Sequence, residues 1–417
     1  MVAMFLGKPT NSWICCQLGA REHYSIPRAL HGAGSLGLLI TDLWTGPDFL
    51  WGALPSAPGR HRYHSELRSA PVVAMNYRAF AFESAARVRW QGWERILARN
   101  RWFGQQAQRE LERWRPRDAE GAVVFSYSYT ALEVFSFAKH AGWTTVLGQV
   151  DAGPVEDQLV GELHRRVNDC DSGWVPAPSD YWDRWREECR LADHIVVNSA
   201  WSRSALVTAG VPDEKLHIVP LAYEQSQAGI PFYRTYPAAF SWARPLRVLF
   251  LGQVNLRKGI SLIFDAIPLL AGQPVEFRIV GPIQVPVPGH LVRHSMVRFL
   301  GSIPRSEVAQ HYQWADLFLF PTFSDGFGLT QLEAQAWKLP VIASRFCGDV
   351  VQDGRNGRIL EELSGAAIAQ TIRSFLQNSS EIERMSAASG IEKRFSLSSL
   401  AESLTTLVDR EQRNRHA

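Results

Sequence analysis

The most informative stretch of the chain spans residues 317–333 and has the sequence Leu317-Phe318-Leu319-Phe320-Pro321-Thr322-Phe323-Ser324-Asp325-Gly326-Phe327-Gly328-Leu329-Thr330-Gln331-Leu332-Glu333. Its first four residues form an apolar run that predicts a buried parallel strand, and residues 330–338 predict a helix. The loop between them therefore follows the carboxyl end of a strand, where open α/β sheets bind their ligands. Gly326 and Gly328 let the backbone come close to a ligand, and the N–H groups at the start of the helix favour a phosphate.

The composition predicts a soluble chain with two domains. Its 417 residues exceed what one hydrophobic core usually supports. The hydrophobic share of 46% can fill two cores, and no apolar run approaches the roughly 18 residues of a membrane span. The apolar segment 2–6 is too short for a signal peptide and is followed by Lys8 and Pro9. We therefore expect no export and a cytoplasmic location.

Cysteine usage and charge exclude several classes of protein. Five cysteines are an odd number, and Cys15 and Cys16 are neighbours on a predicted strand, where they point to opposite faces. This pattern favours neither a disulfide framework nor a CxxC metal site. The net charge of +3 is too small to indicate nucleic acid as a partner.

Segment 87–117 is strongly basic, with nine arginines and three glutamates. Four tryptophans are interleaved with them, at Trp90, Trp93, Trp102 and Trp114. This pattern predicts a basic amphipathic surface helix, and two interpretations stay open. The helix could touch anionic lipid at the inner face of a membrane, or its polar face could be solvated while the tryptophans pack on the core.

The first half of the chain alternates predicted strands and helices, which argues for a parallel sheet with helices on both faces. A helix is predicted at 22–30, and the predicted strands are 12–18, 36–43, 123–128, 144–150, 194–198 and 217–221. We assign residues 1–221 to this domain. Residues 222–245 lose the periodicity and carry Gly229 and three prolines, so they predict a linker.

The second half repeats this pattern, and we assign residues 246–395 to a second domain. Its predicted strands are 246–251, 275–280, 297–300, 317–320 and 341–344, and helices are predicted at 366–377, 381–394 and 398–410. The last helix, within 396–417, is expected to cross back to the first domain. The fold class is therefore α/β, with two Rossmann-like doubly wound domains that face each other across a cleft.

Two short motifs are better explained by local structure than by ligand binding. Gly32-Ala33-Gly34-Ser35-Leu36-Gly37 matches the dinucleotide GxGxxG pattern, but a helix precedes it and a strand follows, which is the reverse of the required order. These glycines are expected to end the helix. Asp169-Cys170-Asp171 has the spacing of a metal-binding acidic pair but lies in a polar turn. We therefore predict no metal site.

The segment Gly252-Gln253-Val254-Asn255-Leu256-Arg257-Lys258-Gly259 places two cations just before a predicted helix at 260–270. Cations there oppose the helix dipole. Arg257 and Lys258 could be ordinary surface charges, but the conflict with the dipole favours an anionic ligand such as a diphosphate.

Together these two segments resemble the family 4 retaining glycosyltransferases of the two-domain GT-B fold. That family has an acidic residue, seven intervening residues and a glutamate in its C-terminal domain, which is the spacing of Asp325 and Glu333. The likeness continues through Arg257-Lys258-Gly259, Leu332-Glu333-Ala334 and Leu339-Pro340-Val341-Ile342-Ala343. The N-terminal half is similar more loosely, through Ala192-Asp193-His194-Ile195-Val196-Val197-Asn198-Ser199.

The resemblance implies a role for each matching residue. Glu333 would bind the ribose hydroxyls of a nucleotide, and Lys258, next to Arg257 and near Gly252, would hold the diphosphate. Asp325 would face the donor sugar and phosphates together with the backbone of Gly326, Phe327, Gly328 and Leu329. Ser302 and Ile303 would lie next to the base. The resemblance implies no metal and no cofactor beyond the nucleotide-sugar co-substrate.

Three positions depart from the family pattern. The family commonly has an arginine where this chain has Gln253, so Arg257 is expected to supply that charge. Its first acid is usually glutamate, and Asp325 is one methylene shorter. Many members present a histidine to the donor sugar where this chain has Val146-Leu147-Gly148-Gln149-Val150-Asp151, so Asp151 or Gln149 would take its place. These departures bear on the identity of the donor sugar.

On the acceptor side, Gly19, Arg21 and His23 follow the first predicted strand at its carboxyl end and should face the cleft. Arg21 is a candidate for contact with a phosphate or an acidic acceptor. His23 is either a structural side chain or a catalytic one.

The implied activity is that of a hexosyltransferase-type glycosyltransferase that retains configuration. It would move a sugar from a nucleotide-diphosphate sugar to a saccharide or lipid-linked saccharide hydroxyl, in cell-surface polysaccharide assembly. Two alternatives stay open: a nucleotide-sugar epimerase or hydrolase of the same fold, and a non-catalytic saccharide-binding scaffold. The motifs do not specify the base, the sugar, the linkage or the acceptor.

Overall fold

Two parallel sheets organise the chain, one of seven strands and one of six. The computed structural model describes residues 12–46, 62–114, 121–167, 174–224 and 232–416, with side chains up to residue 409. Each sheet is covered by helices on both faces, so its central strands are buried along their length, such as Trp13–Gln17, Val123–Tyr127 and Leu317–Phe320. This architecture confirms the predicted pair of Rossmann-like α/β domains.

The N-terminal sheet has the strand order β3-β2-β1-β4-β5-β6-β7. Its strands are β1 Trp13–Gln17, β2 Leu36–Thr41, β3 Val72–Ala74, β4 Val123–Tyr127, β5 Thr144–Gly148, β6 His194–Val197 and β7 Leu216–Ile218. Its helices are α1 Ser25–Gly32, α2 Asn76–Arg89, α3 Gly92–Arg113, α4 Leu132–His140, α5 Pro154–Arg166, α6 Ser179–Leu191 and α7 Ala200–Thr208. The strand order reverses between β1 and β4, which opens a crevice at their carboxyl ends.

The C-terminal sheet has the order β10-β9-β8-β11-β12-β13. Its strands are β8 Leu246–Leu251, β9 Val275–Val280, β10 Val297–Gly301, β11 Leu317–Phe320, β12 Val341–Ala343 and β13 Gly357–Ile359. The helices are α8 Ile260–Leu269, α9 Gly289–Val292, α10 Val308–Trp314, α11 Leu329–Ala336, α12 Gly365–Gln377, α13 Ser379–Ala388 and α14 Leu397–His416. Here the order reverses between β8 and β11, the two strands that precede the most informative sequence segments.

The start of the chain differs in part from the sequence-based expectation. The predicted helix at 22–30 begins only at Ser25, because Glu22, His23 and Tyr24 all have left-handed backbone, with φ of 51°, 52° and 60°. The expectation for the glycine-rich segment is confirmed: α1 ends at Gly32 and β2 follows it directly. Those glycines therefore end a helix. Asp169-Cys170-Asp171 lies outside the described residues.

The helix predicted in segment 87–117 is present as α3, Gly92–Arg113, but it does not extend over the whole segment. The chain is extended at Trp90 and Gln91, which separates α2 from α3, and residues 115–117 lie outside the described ranges. The four tryptophans make internal contacts: Trp90 and Trp102 stack on Phe82, Trp93 meets Tyr181, and Trp102 and Trp114 pack against the N-terminal core. These contacts agree with the interpretation in which the tryptophans pack inward.

Helix α14 follows the C-terminal domain but packs against the N-terminal one. Its residues Leu400, Leu404 and Val408 are buried in one cluster with Ile26 and Leu30 of α1. Near this crossing, the N–H of Tyr223 donates to the carbonyl of Phe395 at 2.8 Å. The two chain segments that pass between the domains thus run side by side.

Two strands and two helix ends escaped the sequence-based prediction. β3 and β13 have three residues each, too few for a periodic pattern. The predicted helix at 381–394 ends earlier, at Ala388, and the last helix extends past residue 410. Within the described ranges, no helix combines the length and apolar character needed to cross a bilayer.

Candidate active site

The loops that follow β8 and β11 lie against each other. The carbonyl of Arg257 accepts hydrogen bonds from the Phe323 N–H at 2.8 Å and from the Thr322 hydroxyl at 3.0 Å. Gly259 has φ of +76°, and a Cβ at this position would lie 2.0 Å from the Pro321 carbonyl oxygen. Only glycine permits this close approach. It brings the loop after β8, which carries Arg257 and Lys258 (the basic loop), onto the loop after β11, which carries Asp325 (the acidic loop).

Lys258 and Asp325 form an ion pair where these loops meet. Both side chains are largely buried, and the Lys258 ammonium lies 5.2 Å from the centre of the Phe320 ring. Burial acts to raise the pKa of Asp325, but the charges of Lys258 and Arg257 outweigh it and hold the pKa below its ordinary value. The carboxylate is thus kept ionised beside two cations.

The acidic loop leads into α11 through Phe327 and Gly328. The Phe327 N–H donates to Asp325 at 3.2 Å, and its side chain is buried in a cluster with Leu332 and Phe395. The Phe327 N–H, predicted to face a ligand, therefore already has a partner in this structure, and its role toward a ligand stays a prediction. Gly328 has φ of +81° and caps α11, so Leu329 begins a helix turn whose first N–H groups have no partner within the helix.

Glu333 lies one turn into α11 and is oriented by Tyr312. The Tyr312 hydroxyl donates to Glu333 at 2.7 Å from α10, where the ring is buried. Burial, together with the Glu333 charge, raises the pKa of Tyr312 well above its usual value, so the phenol stays a donor. Sequence reasoning missed Tyr312, because nothing in the chain between 300 and 320 marks it as a partner of residue 333.

The remaining predicted donor-side residues occupy strand ends of the same sheet. Gly252 follows β8, and its carbonyl oxygen would lie 1.8 Å from a Cβ at Gly281, so these two backbones are in close contact. Ser302 is exposed in the turn after β10. Ile303 is partly buried and packs against the cluster that contains Tyr312. Both residues thus lie near the helix that orients Glu333.

Asp151 comes from the N-terminal domain and faces the acidic loop. Its Oδ1 accepts hydrogen bonds from the Tyr129 hydroxyl at 2.5 Å, the Gln149 amide at 3.1 Å and the Gly153 N–H at 2.9 Å. A Cβ at Gly326 would lie 2.7 Å from the Val150 carbonyl oxygen and 3.4 Å from the Asp151 Cα. The two domains therefore touch where the predicted sugar-facing residues of each are found.

Glu156 and Ser324 form a further bridge between the domains. The Ser324 hydroxyl donates to Glu156 at 2.6 Å and accepts from the Trp201 indole at 2.9 Å. Arg257 lies 3.5 Å from Glu156 and also donates to the Ser324 carbonyl at 3.0 Å. Burial raises the pKa of Glu156 to about 7, with the Asp151 charge adding to the rise and Arg257 opposing it. Sequence reasoning missed this residue, although a carboxylate in the first turn after β5 was a detectable signal.

The predicted acceptor-side residues lie after β1, where the Gln17 amide donates to the carbonyls of Gly19 and Arg21 at 3.1 Å each. The Gly19 N–H donates to the Asp42 carboxylate at 2.8 Å. The Arg21 guanidinium lies 5.2 Å from the centre of the Tyr127 ring. His23 contacts the opposite domain, where Arg305 donates to its Nε2 at 2.6 Å. His23 thus lies at the domain interface.

A cavity of about 550 Å³ lies between the domains, beside Arg257 and Asp151. It runs along α5 and α6 of the N-terminal domain and the loops after β8 and β9 of the C-terminal domain. Among the described residues, no group of three or more histidine, cysteine or acidic side chains is arranged to hold a metal ion.

Comparisons with known proteins identify a matching family and several similar sequences. Residues 245–378 match the family described as "Glycosyl transferases group 1". The D-inositol 3-phosphate glycosyltransferase of Streptomyces coelicolor is 29% identical over 160 residues, which are 34% of this chain and 35% of that protein. The capsular polysaccharide biosynthesis glycosyltransferase CapM of Staphylococcus aureus is 26% identical over 173 residues, or 38% of this chain and 45% of that protein. The chain spans less than half the length of either relative.

Similarity of structure extends further than similarity of sequence. The crystal structure of Anabaena Alr3699/HepE in complex with UDP and glucose matches 96% of this chain and 100% of that chain, with a TM-score of 0.60 and 15% identity. At this identity the likeness shows the fold, which is of the GT-B type. Residues 245–378 are thus similar to group 1 glycosyltransferases, and the chain as a whole shares the GT-B-type fold.

Proposed function

We propose that this protein is a retaining glycosyltransferase that moves a sugar from a nucleotide-diphosphate sugar to a saccharide or lipid-linked saccharide hydroxyl. The observation that carries the proposal is the Lys258–Asp325 pair beside Arg257 and the start of α11. Two cations and a helix N-terminus meet at the carboxyl ends of β8 and β11, where the strand order reverses. Such a site suits a diphosphate.

The chemistry follows from where charge develops. As the glycosidic bond breaks, negative charge grows on the diphosphate, and preorganised cations and N–H groups stabilise it. Lys258 and Arg257 supply the cations, and Gly328 and Leu329 lie where the first free N–H groups of α11 begin. Lys258 is paired with Asp325, so a bound diphosphate would share the ammonium with that carboxylate. Glu333, held by Tyr312, would accept the ribose hydroxyls.

Contacts to the donor sugar are assigned to Asp151 and Asp325, on opposite sides of the domain interface. The close packing of Gly326 on Val150 and Asp151 supports this assignment, because a sugar held at one loop would reach the other. Asp151 then takes the place of the histidine expected from the family. Its carboxylate is fixed by three donors, so it is oriented before a substrate binds.

The comparisons suggest where to look for substrates. The structure of HepE contains UDP and glucose, which makes UDP-sugars the first donors to test. CapM is named for capsular polysaccharide biosynthesis, in agreement with a role in cell-surface polysaccharide assembly. Both are properties of those proteins and enter here as guides to the experiment.

The test is turnover with and without an acceptor. Purified protein is incubated with UDP-, GDP- and ADP-sugars alone and then with saccharide acceptors, while nucleotide release is measured. We expect little release until an acceptor is added, and a product whose anomeric proton coupling matches that of the donor. Rapid release without acceptor would indicate a hydrolase, and an altered sugar would indicate an epimerase. Nucleotide binding without any turnover would indicate the scaffold.

Contact with an anionic membrane through segment 87–117 remains a proposal, and we extend it to helix α2, which ends in that segment. Tyr77 and Val88 are exposed there, at 81% and 92%, beside Arg87 and Arg89. Apolar and basic side chains on one exposed helix suit the interface of an anionic bilayer. Cosedimentation with vesicles of phosphatidylglycerol tests it, and equal binding by wild type and a Val88→Asp variant would contradict it.

A further inference from the structure

The cavity between the domains has one wall made by a single face of α5. Glu156, Val160 and His164 all line it, and residues four apart lie above one another on a helix. A helix rises about 1.5 Å per residue, so this face extends roughly 12 Å from the first of these residues to the last. The cavity volume of about 550 Å³ lies within the range of small-molecule sites.

Aromatic rings form the opposite wall. Tyr129 and Tyr181 stack with ring centres 4.6 Å apart, and Trp93 and Trp182 meet Tyr181 edge-on at 5.0 and 5.1 Å. All four residues line the cavity. Tyr129 is fixed by Glu188, which accepts its N–H at 2.6 Å. The wall is therefore a packed and preorganised surface.

Three carboxylates, Asp151, Glu156 and Asp157, share the cavity with these rings. Among the described lining residues, Arg257 is the only lysine or arginine, and it already contacts Glu156 and the Ser324 carbonyl. Burial raises the pKa of Glu156 and of Asp157, which shows that this environment already disfavours negative charge. A further anion here would meet like charge, which costs several kcal/mol in a binding site.

Rings and carboxylates together select a particular ligand chemistry. A sugar ring offers a face of C–H groups, which aromatic rings bury, and a rim of hydroxyl donors, which carboxylates accept. All three donors to Asp151 bond its Oδ1. Its Oδ2 therefore has no donor among the described residues and remains for a substrate hydroxyl.

We propose that this cavity is the acceptor site and that it takes the uncharged end of a saccharide chain at least two sugar units long. Asp151 lies at the end of the cavity that adjoins Gly326, so the acceptor hydroxyl is positioned there. The rest of the saccharide extends along α5 toward His164. This assignment rests on the proposed function for the transfer step, but saccharide binding itself needs no donor.

The experiment measures saccharide binding without nucleotide, by saturation-transfer NMR and calorimetry. The probes are maltose, lactose, cellobiose and trehalose, with glucose, cellobiouronic acid and trehalose 6-phosphate for comparison. We expect at least one uncharged disaccharide to bind about tenfold more tightly than glucose and than the acidic disaccharides, a difference of about 1.4 kcal/mol. No binding by any of the four, or equal binding of the acidic probes, would overturn the proposal.

Two pairs of variants locate the binding site. Val160→Trp should fill the cavity and abolish disaccharide binding, whereas Val207→Trp, at a position 43% exposed on α7, should not. Asp157→Lys should let the acidic disaccharides bind, whereas Asp183→Lys, on the exposed face of α6, should not. Unchanged disaccharide binding by Val160→Trp would also overturn the assignment.

The same samples are titrated with UDP, GDP and ADP as a separate measurement. Nucleotide binding that persists in Val160→Trp shows that the variant is folded. If no nucleotide binds the wild type while disaccharides do, the proposed transfer fails and the saccharide site stands. If nucleotides bind and disaccharides do not, the saccharide site fails and the proposed transfer stands.

Discussion

Lys258 and Asp325 form an ion pair although 67 positions separate them in the chain. The pair exists because β8 and β11 are neighbours in the sheet, so the loops that follow them leave the same edge. Gly259, packed on Pro321, closes the remaining distance. Because of this geometry, we expect substitution of Lys258 to lower turnover more than substitution of any other residue of this site.

Lys258→Ala should lower turnover by roughly 100- to 1,000-fold, because the charge on the departing diphosphate loses one preorganised donor. Steady-state kinetics with the donor found in the screen measures this. Lys139→Ala is the matched control, since Lys139 forms an exposed ion pair with Asp193 in the N-terminal domain. Turnover within twofold of the wild type for Lys258→Ala would remove this lysine from the mechanism.

Gly326→Ala should separate donor binding from transfer. The new Cβ would press on the Val150 carbonyl and hold the two domains apart. A displacement of about 1 Å at the reacting groups can cost roughly 100-fold in rate, so we expect turnover to fall by that factor while nucleotide binding stays within a few-fold. Gly289→Ala, where an added Cβ meets nothing within 4 Å, is the control. Equal activity of both variants would show that this contact does not position the reaction.

Glu156→Gln should change how stability depends on pH. The folded pKa of about 7 lies above the ordinary value of 4.5, because burial disfavours the charged form. Between these values the unfolded chain loses a proton that the folded chain keeps, so the wild type loses stability as pH rises from 4.5 to 7, on the order of 3 kcal/mol in total. Below pH 4.5 the protonated Glu156 makes its full contribution to the free energy of unfolding.

Urea unfolding at pH 5 and pH 8 measures this effect. Glu156→Gln should lose less free energy of unfolding between the two pH values than the wild type does. Glu162→Gln, on the same helix but in an exposed ion pair with Arg166, should behave like the wild type. An identical decline in all three proteins would contradict the assignment of this titration to Glu156.

Tyr312→Phe should weaken donor binding more than catalysis. The variant removes the hydrogen bond that orients Glu333, and a hydrogen bond to a charged group contributes about 1.5–3 kcal/mol. We expect KM for the nucleotide sugar to rise about tenfold or more, with kcat changed much less. Tyr236→Phe is the control, because the Tyr236 hydroxyl donates to the backbone carbonyl of Asp316 and not to Glu333. An effect confined to kcat would place Tyr312 in the chemical step instead.

The sequence predicted much of the candidate site because its signals are local. Asp325 and Glu333 lie on one loop and helix, and Arg257 and Lys258 precede another helix, so short segments carry the family resemblance that marked them. Tyr312 escaped because it reaches the site from another helix, α10, and its own surroundings in the chain carry no pattern. Glu156 escaped although it follows a predicted strand, because only domain packing brings it to Ser324 and Arg257. Spacing also could not show that the Phe327 N–H bonds the neighbouring Asp325 carboxylate.

By itself, the sequence determined two α/β domains, since apolar runs of strand length alternate with helical periodicity and are punctuated by glycine and proline. It also determined which loops carry charge and which carry glycine. Only the tertiary structure decided that Lys258 pairs with Asp325, that Glu156 joins Arg257 and Ser324, and that aromatic rings and carboxylates enclose one cavity. The physical reason is that strand order and domain packing set these distances, and both arise from contacts between residues far apart in the chain.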